Sequence, residues 1–173
     1  MSISYRDAGP ADAAALTDIF ARSFTETFGH LYAAEDLACF LGQLDEAGWR
    51  EEIGDPDIRI RLAEAEGRIV GFAKVSSLTL PVETGRAASE LRQLYVLKPW
   101  QGEGIAAALM DWVLAEARVR RAEELYLSVY VDNHRARRFY ERYGFRFVQP
   151  YAFMVGNQAD EDHILRLDLK EAE

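Results

Sequence analysis

Two glycines lie in a short segment, residues 101–106, between a strand-like run and a helix-like run. Glycine lets backbone N–H groups approach an anion closely, and the N-terminus of the following helix adds a favourable dipole. The segment therefore predicts a pyrophosphate site. It is neither the dinucleotide-binding loop nor the P-loop, because a third glycine with a later acidic ribose ligand is missing and no Lys-Ser or Lys-Thr pair follows. An ordinary turn with two glycines is the alternative.

The runs on both sides of this segment alternate between strand and helix. Residues 90–97 form a β-capable run, and residues 104–118 place their apolar side chains along one helical stripe. Residues 125–131 are nearly all apolar, as expected of a strand that is covered on both faces, and a second helix follows and ends at Gly144. This β–α–β–α order indicates an α/β or α+β fold with a mixed sheet.

The remaining sequence predicts further strands and helices around this unit. Residues 3–6 form a first strand, several helical segments follow, and residues 58–75 form an antiparallel hairpin. Residues 76–89 are the one long loop. Three final strands are predicted at residues 145–148, 151–155 and 163–169. Internal repeats and linkers are absent from the sequence, so residues 1–173 are expected to form a single domain.

The composition narrows the classes of partner. Twenty-nine acidic and twenty basic residues give a formal charge of −9, which opposes contact with nucleic acid and favours cationic partners, although solubility alone explains such a charge. The single cysteine excludes an internal disulfide, and no Cys/His cluster has the spacing of metal ligands. The chain shows neither a leader peptide nor a long apolar run, so we expect a cytoplasmic protein without a membrane anchor or a metal.

Three ordered motifs resemble those of the GCN5-related N-acetyltransferases (GNAT). Gln101, Gly104 and Ala106 match the family's cofactor motif of Gln or Arg, two residues, Gly, one residue, then Gly or Ala. Residues 90–96 (ELRQLYV) precede this motif at the family's distance. Residues 133–145 (NHRARRFYERYGF) follow it and are similar to the family's asparagine, alanine, Phe-Tyr and Gly-Phe signature.

The resemblance, which covers residues 59–169, implies the GNAT fold. That fold is a mixed, mostly antiparallel sheet of six to seven strands with about four flanking helices, splayed between strands 4 and 5. Acetyl-CoA would place its pantetheine arm in the gap and its pyrophosphate on residues 101–106, and a backbone N–H near Leu94 would polarise the thioester carbonyl. The implied cofactor-binding residues are Leu94, Tyr95, Val96, Gln101, Gly102, Glu103, Gly104, Ile105, Ala106, Asn133 and Tyr140.

Transfer to an amine requires a base and an acid. An alkyl amine with a pKa near about 10.4 is mostly protonated at neutral pH, so a group must remove its proton. Glu90, at the start of the strand beside the cofactor, is the candidate base, and an exposed strand-end acid is the alternative. The resemblance assigns Tyr140 as the acid that protonates the departing thiolate; packing with Phe139 and Tyr143 on the same helix face is the alternative.

The acceptor is expected to be a small amine. Protein N-terminal acetyltransferases of the superfamily carry a glutamate base where this chain has Ser128, which weakens a protein or peptide acceptor. The sequence is more similar to the PaiA-type polyamine acetyltransferases. If that resemblance holds, the side chains of Glu26, Glu35 and Asp36 could attract a polycation. The expected substrate-binding residues are Glu26, Phe28, Tyr32 and Tyr130.

The resulting expectation is an enzyme that transfers an acetyl group from acetyl-CoA to a primary amine, such as a polyamine or another small amine, by direct attack. Two alternatives stay open: an N-acetyltransferase acting on proteins or peptides, and an acyl-CoA-binding sensor without turnover. The sensor would keep residues 101–106 and would not need Glu90 or Tyr140. The resemblance also leaves a homodimer open.

Overall fold

A computed structural model describes residues 2–169 and shows one seven-stranded sheet. Its strands lie in the order β1-β2-β3-β4-β5-β7-β6. The pair β4–β5 is parallel and every other neighbouring pair is antiparallel, which confirms the predicted mixed, mostly antiparallel sheet. The strands are β1 Ile3–Asp7, β2 Arg59–Ala65, β3 Arg68–Ser77, β4 Ala88–Val96, β5 Glu124–Tyr130, β6 Arg146–Val155 and β7 Gln158–Asp168.

Five α-helices flank the sheet, one more than the four or so that the family resemblance implied. The extra one arises because α2 and α3 are separate nine-residue helices, and the side chain of Asp45 caps the second by accepting from the Gly48 N–H at 2.8 Å. No helix within residues 2–169 is long and apolar enough to cross a membrane. The helices are α1 Ala13–Phe28, α2 Ala34–Gly42, α3 Glu46–Gly54, α4 Ile105–Val119 and α5 His134–Arg142.

The sheet has a hydrophobic core on each face. On one face α4 and α5 pack on the sheet through buried side chains such as Leu109 and Val113. On the other face α1, α2 and α3 pack through side chains such as Leu16, Phe20 and Trp49. Both faces of the central strands are therefore covered, which explains why β5 reads as a nearly continuous apolar run.

The sheet opens between β4 and β5. Only three residue pairs join these strands, and the last is Glu90 with Tyr126. Beyond that pair β4 stays bonded to β3, but the register skips Arg92, which forms a β-bulge. A bulge bends its strand and increases the local twist, so residues 91–96 turn away from β5 and leave their backbone edge unpaired on that side. The splay predicted between strands 4 and 5 is confirmed.

The predicted break between two strands near Pro150 is wrong. The sequence suggested two short strands separated near Pro150, but β6 is a single strand that runs through it. Proline lacks an N–H donor, and β6 lies at the edge of the sheet, where one side of the strand needs no partner. A register shift between Phe147 and Gln149 absorbs the remaining irregularity.

Candidate active site

A cavity of about 740 Å³ fills the gap where β4 and β5 separate. Its walls come from β4, β5, β7 and the N-terminal ends of α4 and α5, and α1 with the segment that follows it covers one end. The four expected substrate residues, Glu26, Phe28, Tyr32 and Tyr130, line it. So do nearly all the predicted cofactor residues: Leu94, Tyr95, Val96, Gln101, Gly102, Gly104, Ile105, Ala106, Asn133 and Tyr140. Glu103 is exposed and lies outside the lining.

One end of the cavity is built for an anion. Gly102 and Gly104 have φ angles of +88° and +79°, a region that favours glycine, and Gly104 is the N-cap of α4. Glycine supplies no capping side chain, so the first N–H groups of α4 stay available to a ligand. A Cβ added to either glycine would meet no atom within 4 Å, so open space faces the loop. The site fits a pyrophosphate.

Two side chains hold this loop in place. The Gln101 side-chain amide donates to the Val96 carbonyl at 3.1 Å, and Arg135 donates to the Gln101 side-chain oxygen at 2.5 Å. Arg138 and Arg142, also on α5, line the cavity and add positive charge. The predicted cofactor ligand Asn133 lies on the cavity wall but also caps α5 by accepting from the Ala136 N–H at 3.3 Å.

Tyr140 lies on α5 with its ring buried between Phe139 and Phe145. It both packs and lines the cavity, so its packing is compatible with the predicted role as an acid. Burial raises the pKa of its phenol above the ordinary value because the charged form loses hydration. The phenol is therefore a protonated donor at neutral pH.

The predicted base Glu90 is turned away from the cavity. Only 5% of it is exposed, and it does not line the cavity. Its carboxylate accepts hydrogen bonds from the Thr79 and Leu80 N–H groups at 2.8 and 2.9 Å and from the Thr79 hydroxyl at 2.9 Å. The Arg92 Nε lies 3.6 Å away. Glu90 thus anchors the loop between β3 and β4. The alternative interpretation, an exposed acid at the end of a strand, does not describe this buried residue either.

Two aspartates on β7 supply buried carboxylates to the cavity, and the sequence analysis missed both. Asp160 and Asp162 are 8% and 6% exposed, and both line the cavity. Tyr32 donates a hydrogen bond to Asp160, as does the Gln158 side chain at 3.0 Å. Burial, followed by the negative charge of Asp160, raises the pKa of Asp162 to about 7, although a hydrogen bond with Ser128 opposes the shift.

The sequence did contain a signal for these aspartates. The last strand was predicted to begin at His163, but β7 begins at Gln158. Alternation along the longer strand puts Asp160 and Asp162 on the same face as the fully buried Ile164. Two acids on the buried face of a strand are the kind of position that marks a functional site.

The aromatic end of the cavity lies beside these carboxylates. Phe24 stacks on Tyr32 with 5.9 Å between ring centroids, and Phe28 meets Tyr130 edge to face at 6.1 Å. Glu26 lies at the rim, where it accepts from the Lys98 N–H at 3.2 Å.

The other two acids expected to attract a cation lie elsewhere. Glu35 and Asp36 do not line the cavity. Asp36 instead accepts from the Asn157 N–H at 3.0 Å and ties α2 to the turn between β6 and β7. The expectation for these two residues is therefore wrong, because the first turn of α2 faces that turn and not the cavity.

Known proteins share this architecture. A family model described as Acetyltransferase (GNAT) family matches residues 13–145. An uncharacterized N-acetyltransferase of Mycobacterium tuberculosis is 34% identical over 159 residues, which cover 91% of this chain and 98% of the relative. The aminoalkylphosphonate N-acetyltransferase of Salmonella typhimurium is 31% identical over 128 residues, 70% of this chain and 80% of the relative.

A solved structure shows the same fold. The PaiA N-acetyltransferase of Thermoplasma acidophilum, crystallised with coenzyme A, superposes with a TM-score of 0.78 at 20% identity and covers 98% of this chain and 100% of its own. The splayed sheet, the glycine loop at the start of α4 and the family match agree with one another. The chain belongs to the GNAT family of acetyltransferases.

Proposed function

We propose that this GNAT enzyme transfers an acetyl group from acetyl-CoA to a primary amine of a small molecule, a class that includes the polyamines. The observation that carries the proposal is a single cavity with an anion-binding loop at one end that is also lined by a buried carboxylate, Asp162, and a buried phenol, Tyr140. Transfer would be direct, without a covalent enzyme intermediate.

The donor end needs residues that bind and orient without reacting. Acetyl-CoA, when bound, supplies an activated thioester. The N–H groups at the start of α4 would hold its pyrophosphate, with Arg138 and Arg142 adding charge. The unpaired edge of residues 91–96 offers backbone donors and acceptors to the amides of the pantetheine arm, as an added strand would.

Proton transfer falls to two side chains. Asp162 accepts a proton from the substrate ammonium, directly or through water, and frees the lone pair that attacks the acyl carbon. Its pKa of about 7 suits a base that must both bind and release a proton near neutrality. Tyr140 donates its phenolic proton to the departing sulfur and recovers one, directly or through water, from the attacking nitrogen, which loses its second proton as the amide forms. Glu90 has no part in this scheme because its carboxylate is committed to the loop at Thr79.

A small amine fits the acceptor end better than a protein terminus does. Asp160 and Asp162 place two carboxylates inside the cavity, and the aromatic rings of Phe28 and Tyr130 can cover an alkyl chain. The name of the Salmonella relative also describes a small-molecule acceptor. These features support a polyamine or another short amine.

The direct test is a thiol-release assay with acetyl-CoA against polyamines, alkyl amines, amino acids and N-terminal peptides. We expect turnover on small primary amines and at most weak turnover on peptides. A peptide preference would favour the protein-directed alternative. Tight binding of acetyl-CoA with no turnover on any acceptor would favour the non-catalytic sensor, and either result would overturn the proposal.

Gly104→Val is expected to weaken coenzyme A binding at least about tenfold. The new side chain would fill the open space that faces the N-terminus of α4, and the φ of +79° would strain the backbone by roughly 1–3 kcal/mol. Isothermal titration with coenzyme A measures the affinity.

Gly67→Val is the matched control, because Gly67 has a φ of +74° and equally open surroundings in the β2–β3 turn. It should lower the melting temperature similarly but bind coenzyme A normally. Unaltered affinity in Gly104→Val would refute this placement of the pyrophosphate.

A further inference from the structure

Arg92 adds a positive charge to the cavity. The proposed function gives this residue no role. It lies at the β4 bulge and lines the cavity, and its side chain keeps 29% of its surface exposed. It is unsuited to the pyrophosphate, because that loop follows the far end of β4, four residues or about 13 Å along the strand. A partly buried guanidinium beside the bound acceptor would repel the second ammonium group of a diamine substrate.

The Arg92 guanidinium is held in position, but its hydrogen-bond donors are not all used. Its Nε lies 3.6 Å from Glu90, and its Nη1 contacts the Ser76 hydroxyl at 3.4 Å. Both contacts are long, and arginine has five N–H donors, so donors remain for a ligand. The Glu90 carboxylate is itself occupied by the Thr79 and Leu80 groups. Glu90 therefore positions Arg92 rather than neutralising it through a close bidentate pair.

Two other cations of this region already have partners in the protein. The Lys74 ammonium is buried, lies 2.6 Å from the Glu52 carboxylate and stands 4.8 Å from the ring centroid of Trp49. Arg135 is bonded to the glycine loop at the other end of the cavity.

Groups of opposite charge line the same cavity on different strands. Asp162 lies on β7, where it pairs in register with Tyr130 on β5, and Arg92 lies on β4 two residues beyond the last β4–β5 pair, where the two strands separate. Both residues line the cavity. The β7 wall thus supplies a carboxylate and the β4 wall supplies a guanidinium.

We infer that the acceptor is a zwitterion, with a primary amine received by Asp162 and, across a short spacer, a carboxylate or phosphonate bound by Arg92. The planar fork of arginine matches both oxyanions, and a cavity lined by both Asp162 and Arg92 can receive an amine and an acid at opposite ends of one chain. This inference rests on the proposed N-acetyl transfer and selects one class among the small amines.

The test compares acceptors of equal chain length. 4-Aminobutyrate, 1,4-diaminobutane and butylamine each have four carbons and a primary amine at one end, and the other end is an anion, a second ammonium and a methyl group; rates for the diamine are divided by two because its two amines are equivalent. We expect kcat/KM for 4-aminobutyrate to exceed both others at least about tenfold, the value of one charge-assisted pair. Glycine and β-alanine vary the spacer, and 2-aminoethylphosphonate distinguishes a phosphonate from a carboxylate.

Arg92→Gln should lower the ratio of kcat/KM for 4-aminobutyrate over butylamine at least about tenfold, mainly through KM, because the anion loses its partner. Arg92→Lys should retain part of the ratio, since it keeps charge without the fork. Arg50→Gln is the matched control: Arg50 is exposed on α3, pairs with Glu46 at 2.8 Å and does not line the cavity. Its ratio should equal that of the wild type.

Two results would overturn the inference while leaving N-acetyl transfer intact. One is a wild-type preference for 1,4-diaminobutane or spermidine over 4-aminobutyrate. The other is an unchanged ratio in an Arg92→Gln protein that unfolds and binds coenzyme A like the wild type. A failure to acetylate any of the three amines would instead overturn the proposed function and the inference with it.

Discussion

Tyr140→Phe is expected to lower kcat about 100-fold while changing the dissociation constant of coenzyme A by less than about twofold. The substitution removes one hydroxyl from a buried ring and leaves the contacts of that ring with Phe139 and Phe145 in place. Only the proton donor to the departing sulfur is lost, so the chemical step slows and ground-state binding does not change.

Pre-steady-state thiol release and calorimetric titration with coenzyme A separate the two effects. Tyr143→Phe is the matched control, because it removes a phenol from the C-terminal end of the same helix without touching the cavity lining. It should leave kcat unchanged. Equal losses of turnover and affinity in Tyr140→Phe would show that the hydroxyl binds the cofactor and does not act as the acid.

Asp162→Asn is expected to lower kcat/KM by about 100-fold or more at pH 8, because the amide cannot accept the substrate's proton. The wild-type rate should rise with pH through the pKa of about 7 and level off above it, since the carboxylate is the active form. In the variant this rise should disappear. A retained pH dependence with a rate near that of the wild type would exclude Asp162 as the base.

The groups around Asp162 allow a sharper version of the pH experiment. Asp160, Tyr95 and Ser128 line the cavity with it, and the negative charge of Asp160 helps to raise its pKa. Asp160→Asn should therefore move the midpoint of the pH–rate profile to lower pH, whereas a merely structural aspartate pair would leave the profile unshifted. The profile is measured as kcat/KM from pH 5.5 to 9.

The raised pKa of Asp162 also has a consequence for stability. Because the folded-state pKa lies above that of the unfolded chain, the folded state binds the proton more tightly, and the free energy of unfolding falls as pH rises between the two values. Asp162→Asn should therefore unfold at a higher temperature than the wild type at pH 8, and the difference should shrink toward pH 4. A catalytic group that costs stability is common at active sites.

Much of the cofactor end was predictable because it is local in sequence. The two glycines, the helix that follows them and the apolar stripe from Ile105 all fall within one short stretch. Glycine at a left-handed φ, followed by a helix N-terminus without a capping side chain, binds an anion through groups that neighbouring residues supply. The mixed, mostly antiparallel sheet and its splay between strands 4 and 5 followed from the family resemblance, and the structure confirms both.

The acceptor end was not predictable in the same way, because its groups come from distant parts of the chain. Whether Glu90 faces the cavity depends on a bulge at Arg92 and on a loop that folds back to donate from Thr79, and neither is written in the alternation of β4. Asp162 enters the site because β7 inserts between β5 and β6 in the sheet.

The amino-acid sequence alone thus indicated the family, through three ordered motifs, and predicted most elements and the glycine loop, which depend on periodicity and on short-range backbone geometry. The tertiary structure decided which carboxylates and which cations line the cavity. Strand register and a single bulge choose between the two faces of a sheet, and a shift of one residue moves a side chain from one face to the other. In this protein the Glu90 carboxylate therefore bonds to the loop at Thr79, and Asp162 on β7 and Arg92 on β4 line the cavity.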